Sequence, residues 1–351
     1  MMKGWFCAAL AVLMLLVGTT FGAAPARSAT IQPDDWSAYK AAFVNQDGRV
    51  IDTGNGGISH SEGQGYGLLL AYLANDPAAF DLIWSFTRTE FLLRDDGLAV
   101  WRWDPNKTPH VTDPNNATDG DILIAYALAS AGRDWNREEL TTTATGMAKA
   151  IGHLVQLHQG RTIMLAGKAG YGADDRKDGP VVNLSYWVYE AFPVLAELAP
   201  DTEWSSLNQS GLTLLEQAQF GPRNLPPEWL SLRTRPKPAD GFENRFGYNA
   251  LRIPLYLARA GVRDRALLTR LREGMTNDDG QVVVVDLDSG TVEEVLSEPG
   301  YAILPALVSC VIDQRPIDPK IRRFEPTLYY PSTIHLLALS YLSEEHLDCL
   351  R

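Results

Sequence analysis

The chain has 351 residues, 45% of them hydrophobic, and 43 acidic against 31 basic side chains give it a formal net charge of −12. That acidity argues against nucleic acid and anionic membrane surfaces as partners, whereas a neutral polymer meets no such objection. The length suits one large domain whose core can hold a long cleft without metals or disulfides, and the six dispersed histidines suggest neither a metal site nor a cofactor.

Lys3, the apolar run over residues 5–21 and the small residues that follow have the three zones of a secretory signal peptide. Cleavage is expected between about residues 23 and 29, which assigns 1–29 to the signal and 30–351 to a single domain, secreted or periplasmic. The apolar core is short for a membrane anchor. Two cysteines then remain, Cys310 and Cys349, which in an oxidising compartment either pair or leave a buried free thiol at Cys310.

Pro33 opens a first helix with Trp36, Tyr39 and Phe43 on one face. A short extended stretch leads to His60-Ser61-Glu62-Gly63-Gln64-Gly65-Tyr66-Gly67, where an acid and an aromatic lie among three glycines at the head of an apolar helix. Each glycine inside a helix costs up to about 1 kcal/mol, so three in five residues imply that something approaches the backbone closely. Pro77 starts the next helix, and residues 98–105, with Trp101 and Trp103, alternate like a strand.

Residues 115–135, NNATDGDILIAYALASAGRDW, place Asp119 and Asp121 in the first turn of a long apolar helix. Taken alone, these acids read as an N-cap, shared with Thr118, and a favourable first-turn charge. Further helices are expected over 138–157, 186–198, 203–218 and 246–260, with a last pair near 301–308 and 332–342. Between them lie a glycine-rich stretch (164–180), a proline- and arginine-rich loop (222–240) and a hairpin over 282–295. Ten to twelve helices, mostly in consecutive pairs, describe a mainly helical protein.

Two of these stretches carry a resemblance. Residues 117–135 resemble the signature of glycoside hydrolase family 8, which runs Ala, Ser/Thr, Asp, Ala/Gly, Asp, two free positions, Ile/Met, Ala and on to a tryptophan. Ser-Glu-Gly-Gln-Gly-Tyr-Gly around Glu62 resembles the general-acid motif of the same family. The likeness spans about residues 34–341 and is nearest to bacterial endoglucanases associated with cellulose synthesis. It implies an all-α fold, an (α/α)6 barrel of six helical hairpins with small β-hairpin insertions. It also implies a monomeric, inverting endo-β-1,4-glucanase that needs no cofactor, acts on cellulose-like β-glucan and has a functional link to a cellulose-synthesis machine. A family relative cutting chitosan, xylan or mixed-linkage glucan is an alternative, as is a catalytically silent glucan-binding protein of an export system.

Inverting glycosidases hold a general acid and a general base roughly 6.5–9.5 Å apart, with room for a water. Glu62 is the expected acid, and Asp119 the ionised neighbour whose charge keeps a proton on it. The family carries a base in a Tyr-Asp-Ala-x-Arg-x-Pro-like segment, matched here by Tyr248-Asn249-Ala250-Leu251-Arg252-Ile253-Pro254. Asn249 can orient water and has no site for its proton. The candidates for base become Glu243, then Asp240, then Asp119, unless the base has been lost. Arg252 is expected to hold Glu243 or a sugar hydroxyl, or else to form a surface ion pair worth under about 1 kcal/mol. Tyr66 is a candidate hydrogen-bond donor near the cleaved sugar, and Tyr186 a cleft aromatic. Trp103 is a candidate stacking platform for a sugar ring or a core plug. Asp240 and Asn249 complete the expected substrate contacts, with Tyr329 and Tyr330 weaker candidates.

Overall fold

The computed structural model describes Met1 and residues 28–351, so the expected signal segment lies, apart from its ends, outside the described residues. Twelve α-helices follow one another among them. They are α1 (Pro33–Phe43), α2 (Ser61–Leu73), α3 (Pro77–Glu90), α4 (Thr118–Asp134), α5 (Glu138–Gly152) and α6 (Phe192–Leu198), then α7 (Trp204–Gln217), α8 (Ile253–Arg259), α9 (Arg265–Gly274), α10 (Ile303–Asp313), α11 (Pro319–Arg322) and α12 (Tyr329–Glu345).

The even-numbered helices close a ring. α2 packs on α4, α4 on α6, the 3₁₀ turn Tyr189–Ala191 ahead of α6 on α8, α8 on α10, α10 on α12, and α12 back on α2. Outside it, α1 lies against α12, α3 against α2, α5 against α4 and α6, α7 against α6, and α9 against α8 and α10. This is the (α/α)6 barrel that the resemblance implied. An inner helix has neighbours all round and must be apolar all round. Every residue of α2 is buried except Glu62, the acid turned into the ring's mouth.

Glycines set the spacing of the inner ring. A Cβ on Gly65 would stand 2.5 Å from Leu123 Cβ, and one on Gly120 would stand 2.6 Å from the backbone nitrogen of Glu62. Neither position admits a side chain while α2 and α4 stay this close, and that approach puts Glu62 beside Asp119.

Several boundaries differ from those expected. The α5 segment ends at Gly152, and Val155–His158 turns back on Arg161–Met164 through Gln159 and Gly160, with φ of 50° and 76°. Two successive left-handed residues make a tight hairpin turn, which helical periodicity over 138–157 hides. Ahead of α6 the chain makes two 3₁₀ turns, Leu184–Tyr186 and Tyr189–Ala191. Arg245–Phe246 is a strand on Val283–Asp286, and the 3₁₀ turn Ala250–Arg252 then leads into α8. Of residues 98–105 only Arg102–Trp103 pairs as a strand, with Ser59–His60. The hairpin near 282–295 is present, Val283–Asp286 against Val292–Val295. Cys310 and Cys349 form a disulfide across a Cα–Cα distance of 6.0 Å, tying α10 to the last turn of the chain.

Candidate active site

The inner helices all begin at one mouth of the ring, and a cavity of about 570 Å³ lies there. Glu62 comes from the start of α2, Asp119 from the start of α4, and Tyr186 from the turns before α6. Asn249 and Arg252 precede α8, Glu298 and Tyr301 precede α10, and Tyr329 and Tyr330 open α12. Parallel helix N-termini add partial positive charge to this mouth, which favours carboxylates in it.

Arg252 is the hub. Its side chain is 2% exposed, with Nη2 2.5 Å from Asp119 Oδ2 and Nη1 3.3 Å from Glu62 Oε2. Its Nε donates to the carbonyl of Ser185 at 3.2 Å, and the guanidinium lies 5.6 Å from the centre of the Tyr186 ring. Asp119 Oδ1 accepts the N–H of Gly120 at 2.8 Å. Two carboxyls therefore share one cation, Asp119 sealed at 1% exposure and Glu62 reaching the cavity at 16%. Burial, and then the charge of Glu62, push the Asp119 carboxyl upward against the pull of Arg252. Burial and Glu62 thus pull against the ionised Asp119 expected from sequence, while the contact with Arg252 pulls for it.

The helix carrying Glu62 is capped by His60, whose Nδ1 accepts the N–H of Gly63 at 2.9 Å while Nε2 faces Asp52 Oδ2 at 3.2 Å. An accepting Nδ1 requires the neutral tautomer with its proton on Nε2, aimed at Asp52. Asp52, His60, Tyr248, Glu294, Glu298 and Tyr301 all line the cavity, and none of them is among the site residues expected from the sequence, although His60 and Tyr248 lie within two of its motifs.

The Glycosyl hydrolases family 8 model matches residues 11–282. The chain belongs to that family. A "Probable endoglucanase" of Novacetimonas hansenii is 35% identical over 300 residues, 84% of this chain and 86% of that one. The crystal structure of an endoglucanase of family 8 from Klebsiella pneumoniae superposes with a TM-score of 0.79 at 31% identity, covering 89% of this chain and 100% of that one. An endo-beta-1,4-glucanase from Acetobacter xylinum gives 0.78 at 32% identity, with 89% and 98% covered.

Glu62, Asp119 and Arg252 are thus brought together, while other expected site residues stand elsewhere. Tyr66 is fully buried behind Arg252, and its hydroxyl meets that of Tyr256 instead of the cavity. Trp103 is a core plug, 9% exposed, its Nε1 donating to Glu90 at 3.0 Å and its ring 4.2 Å from His110. Trp101 takes the place on the wall. Glu243 is 73% exposed and ion-paired with Arg245 at 2.7 Å, and Asp240 is 69% exposed and paired with Lys237 at 2.9 Å; neither lines the cavity. Arg252 holds Glu62 and Asp119 in place of Glu243. Asn249 is on the wall, its backbone N–H held by buried Glu228 at 2.7 Å.

The start of α4 is also not capped as expected. Thr118 donates to the carbonyl of Leu165 at 2.7 Å, and Asp121 is fully buried, accepting from the N–H of Ala99 at 2.7 Å and from Asn116 at 2.8 Å. Burial pushes Asp121 up to about 7 in spite of those two donors. A folded value above the unfolded one, about 3.9, means that the group's contribution to stability is full below pH 4 and lost as pH rises through 7. Between those limits it tilts stability downward by up to roughly 1.4 kcal/mol per pH unit. In Asp121→Asn this slope should flatten in urea denaturation from pH 4 to 7, whatever the change in absolute stability. An unchanged slope would contradict the assignment.

Proposed function

We propose that this chain is an inverting endo-β-1,4-glucanase acting on cellulose-like β-glucan, with Glu62 as general acid. The observation that carries the reading is a carboxyl side by side with a second, buried carboxyl on one arginine, in the wall of an open cavity. Both carboxyls line the cavity, but Glu62 is much the more exposed, so Glu62 delivers the proton to the leaving oxygen while Asp119, held by Arg252, fixes the arginine beside it. Tyr186, Tyr248, Tyr301 and Tyr330 give the wall both ring faces and hydroxyls, a surface that suits sugar rings.

The same proposal includes export through residues 1–29, a single catalytic domain over 30–351, a monomeric state and a place beside a cellulose-synthesis machine; these rest on the sequence and on the family likeness. Purified protein should release reducing ends from carboxymethylcellulose with an early fall in viscosity, and proton NMR should show the α-anomer of the new reducing end first. No release of reducing ends would remove the glucanase reading, and a β-anomer formed first would remove inversion.

A further inference from the structure

Inversion requires an acceptor for a water proton, and Asn249 is not one. Five carboxylates line the cavity: Asp52, Glu62, Asp119, Glu294 and Glu298. Four are engaged by the protein. Asp52 takes the N–H of Gly54 at 3.1 Å and faces His60 at 3.2 Å, Glu62 and Asp119 share Arg252, and Glu294 accepts the hydroxyl of Tyr248 at 2.8 Å. The half-buried Glu298 side chain forms no hydrogen bond or ion pair with any described residue.

We infer that Glu298 is the general base of the glucanase reaction proposed above. The peptide that presents it is well fixed, since Pro299 follows and the Glu298 carbonyl accepts the N–H of Tyr301 at 3.1 Å. The rings of Tyr248, Tyr301 and Tyr330 form a triangle with centroids 6.2–6.5 Å apart. Tyr301 and Tyr248 sit in the field of Glu298 and Glu294, whereas Tyr330 sits in that of Arg252 and Glu62. One tyrosine layer thus stands between the acid and Glu298 on the same cavity wall, the across-the-cleft arrangement that an inverting pair requires. Glu294 is already occupied by the Tyr248 hydroxyl, which leaves Glu298 as the carboxylate open to a water.

In the reaction, water gives one proton to Glu298 while its oxygen bonds to the anomeric carbon on the face opposite the leaving chain. The bond from that carbon to the bridging oxygen breaks, its electron pair stays on that oxygen, and Glu62 protonates it. Glu298 gains a proton and Glu62 loses one, and exchange with solvent restores both.

The test separates acid from base with two substrates, because β-cellobiosyl fluoride has a leaving group that needs no proton. Glu298→Gln should lose about 10²- to 10⁴-fold in kcat on both carboxymethylcellulose and the fluoride, with cellopentaose affinity by calorimetry kept within a few-fold. Glu62→Gln should lose activity on the polymer and keep it on the fluoride. Sodium formate should restore part of the turnover of Glu298→Ala. Wild-type kcat in Glu298→Gln would overturn the inference, as would the same double loss in Glu294→Gln or Glu243→Gln with Glu298→Gln intact. A wild type that cuts neither substrate would instead defeat the glucanase reading itself.

Discussion

Glu62→Gln should lower kcat on carboxymethylcellulose by about two to four orders of magnitude and leave KM within a few-fold of wild type. The amide is nearly isosteric and keeps an oxygen for Arg252, but it has no proton of the required acidity to give to a departing sugar oxygen. It also removes one of the two carboxyls that share Arg252, so Asp119 should pair more firmly with the guanidinium. Thermal stability should hold or rise, which distinguishes loss of the acid from loss of the fold. Initial rates by reducing-sugar assay with a melting curve on the same preparation make the comparison. Equal kcat in the two proteins would take Glu62 out of the acid role.

Much of this site was legible because its parts are local in sequence. Glu62 and Asp119 each sit at the head of an apolar helix, and the three glycines around Glu62 call for close backbone approach. That the approaching object is the other helix is a tertiary fact, visible only when Gly65 meets Leu123 and Gly120 meets Glu62. Trp103 and Tyr66 were misplaced for a related reason: a sequence does not tell whether an aromatic beside an acid turns towards the cavity or the core. Here Glu90 and Tyr256 satisfy their polar ends inside. The loop acids Asp240 and Glu243 are near Asn249 in sequence, yet Arg245 and Lys237 hold them at the surface. Glu298 lies some 50 positions from Asn249, after a hairpin whose charges pass for a solvated face, and only barrel closure brings both to one wall.

Arg252→Met should both unfold more easily and lose activity, because one guanidinium neutralises two carboxyls in a site almost closed to water. Removing one member of a buried ionic cluster costs about 3–5 kcal/mol, since the remaining charges are left without a partner. The loss should depend on pH in a defined direction. Arg252 lowers the Asp119 carboxyl, so without it the folded protein binds that proton more tightly, and folded-state proton uptake makes stability fall more steeply as pH rises. The gap between wild type and variant should therefore be smaller at pH 5, where a proton can replace the missing cation, than at pH 8. Arg252→Lys should recover part of the stability, since it returns the charge. It should recover little turnover, because a single ammonium cannot reach Glu62, Asp119 and the Ser185 carbonyl with the fixed geometry of a guanidinium. Urea denaturation of the three proteins at both pH values measures this directly. A pH-independent gap would mean that Arg252 acts by packing and not by neutralising Asp119.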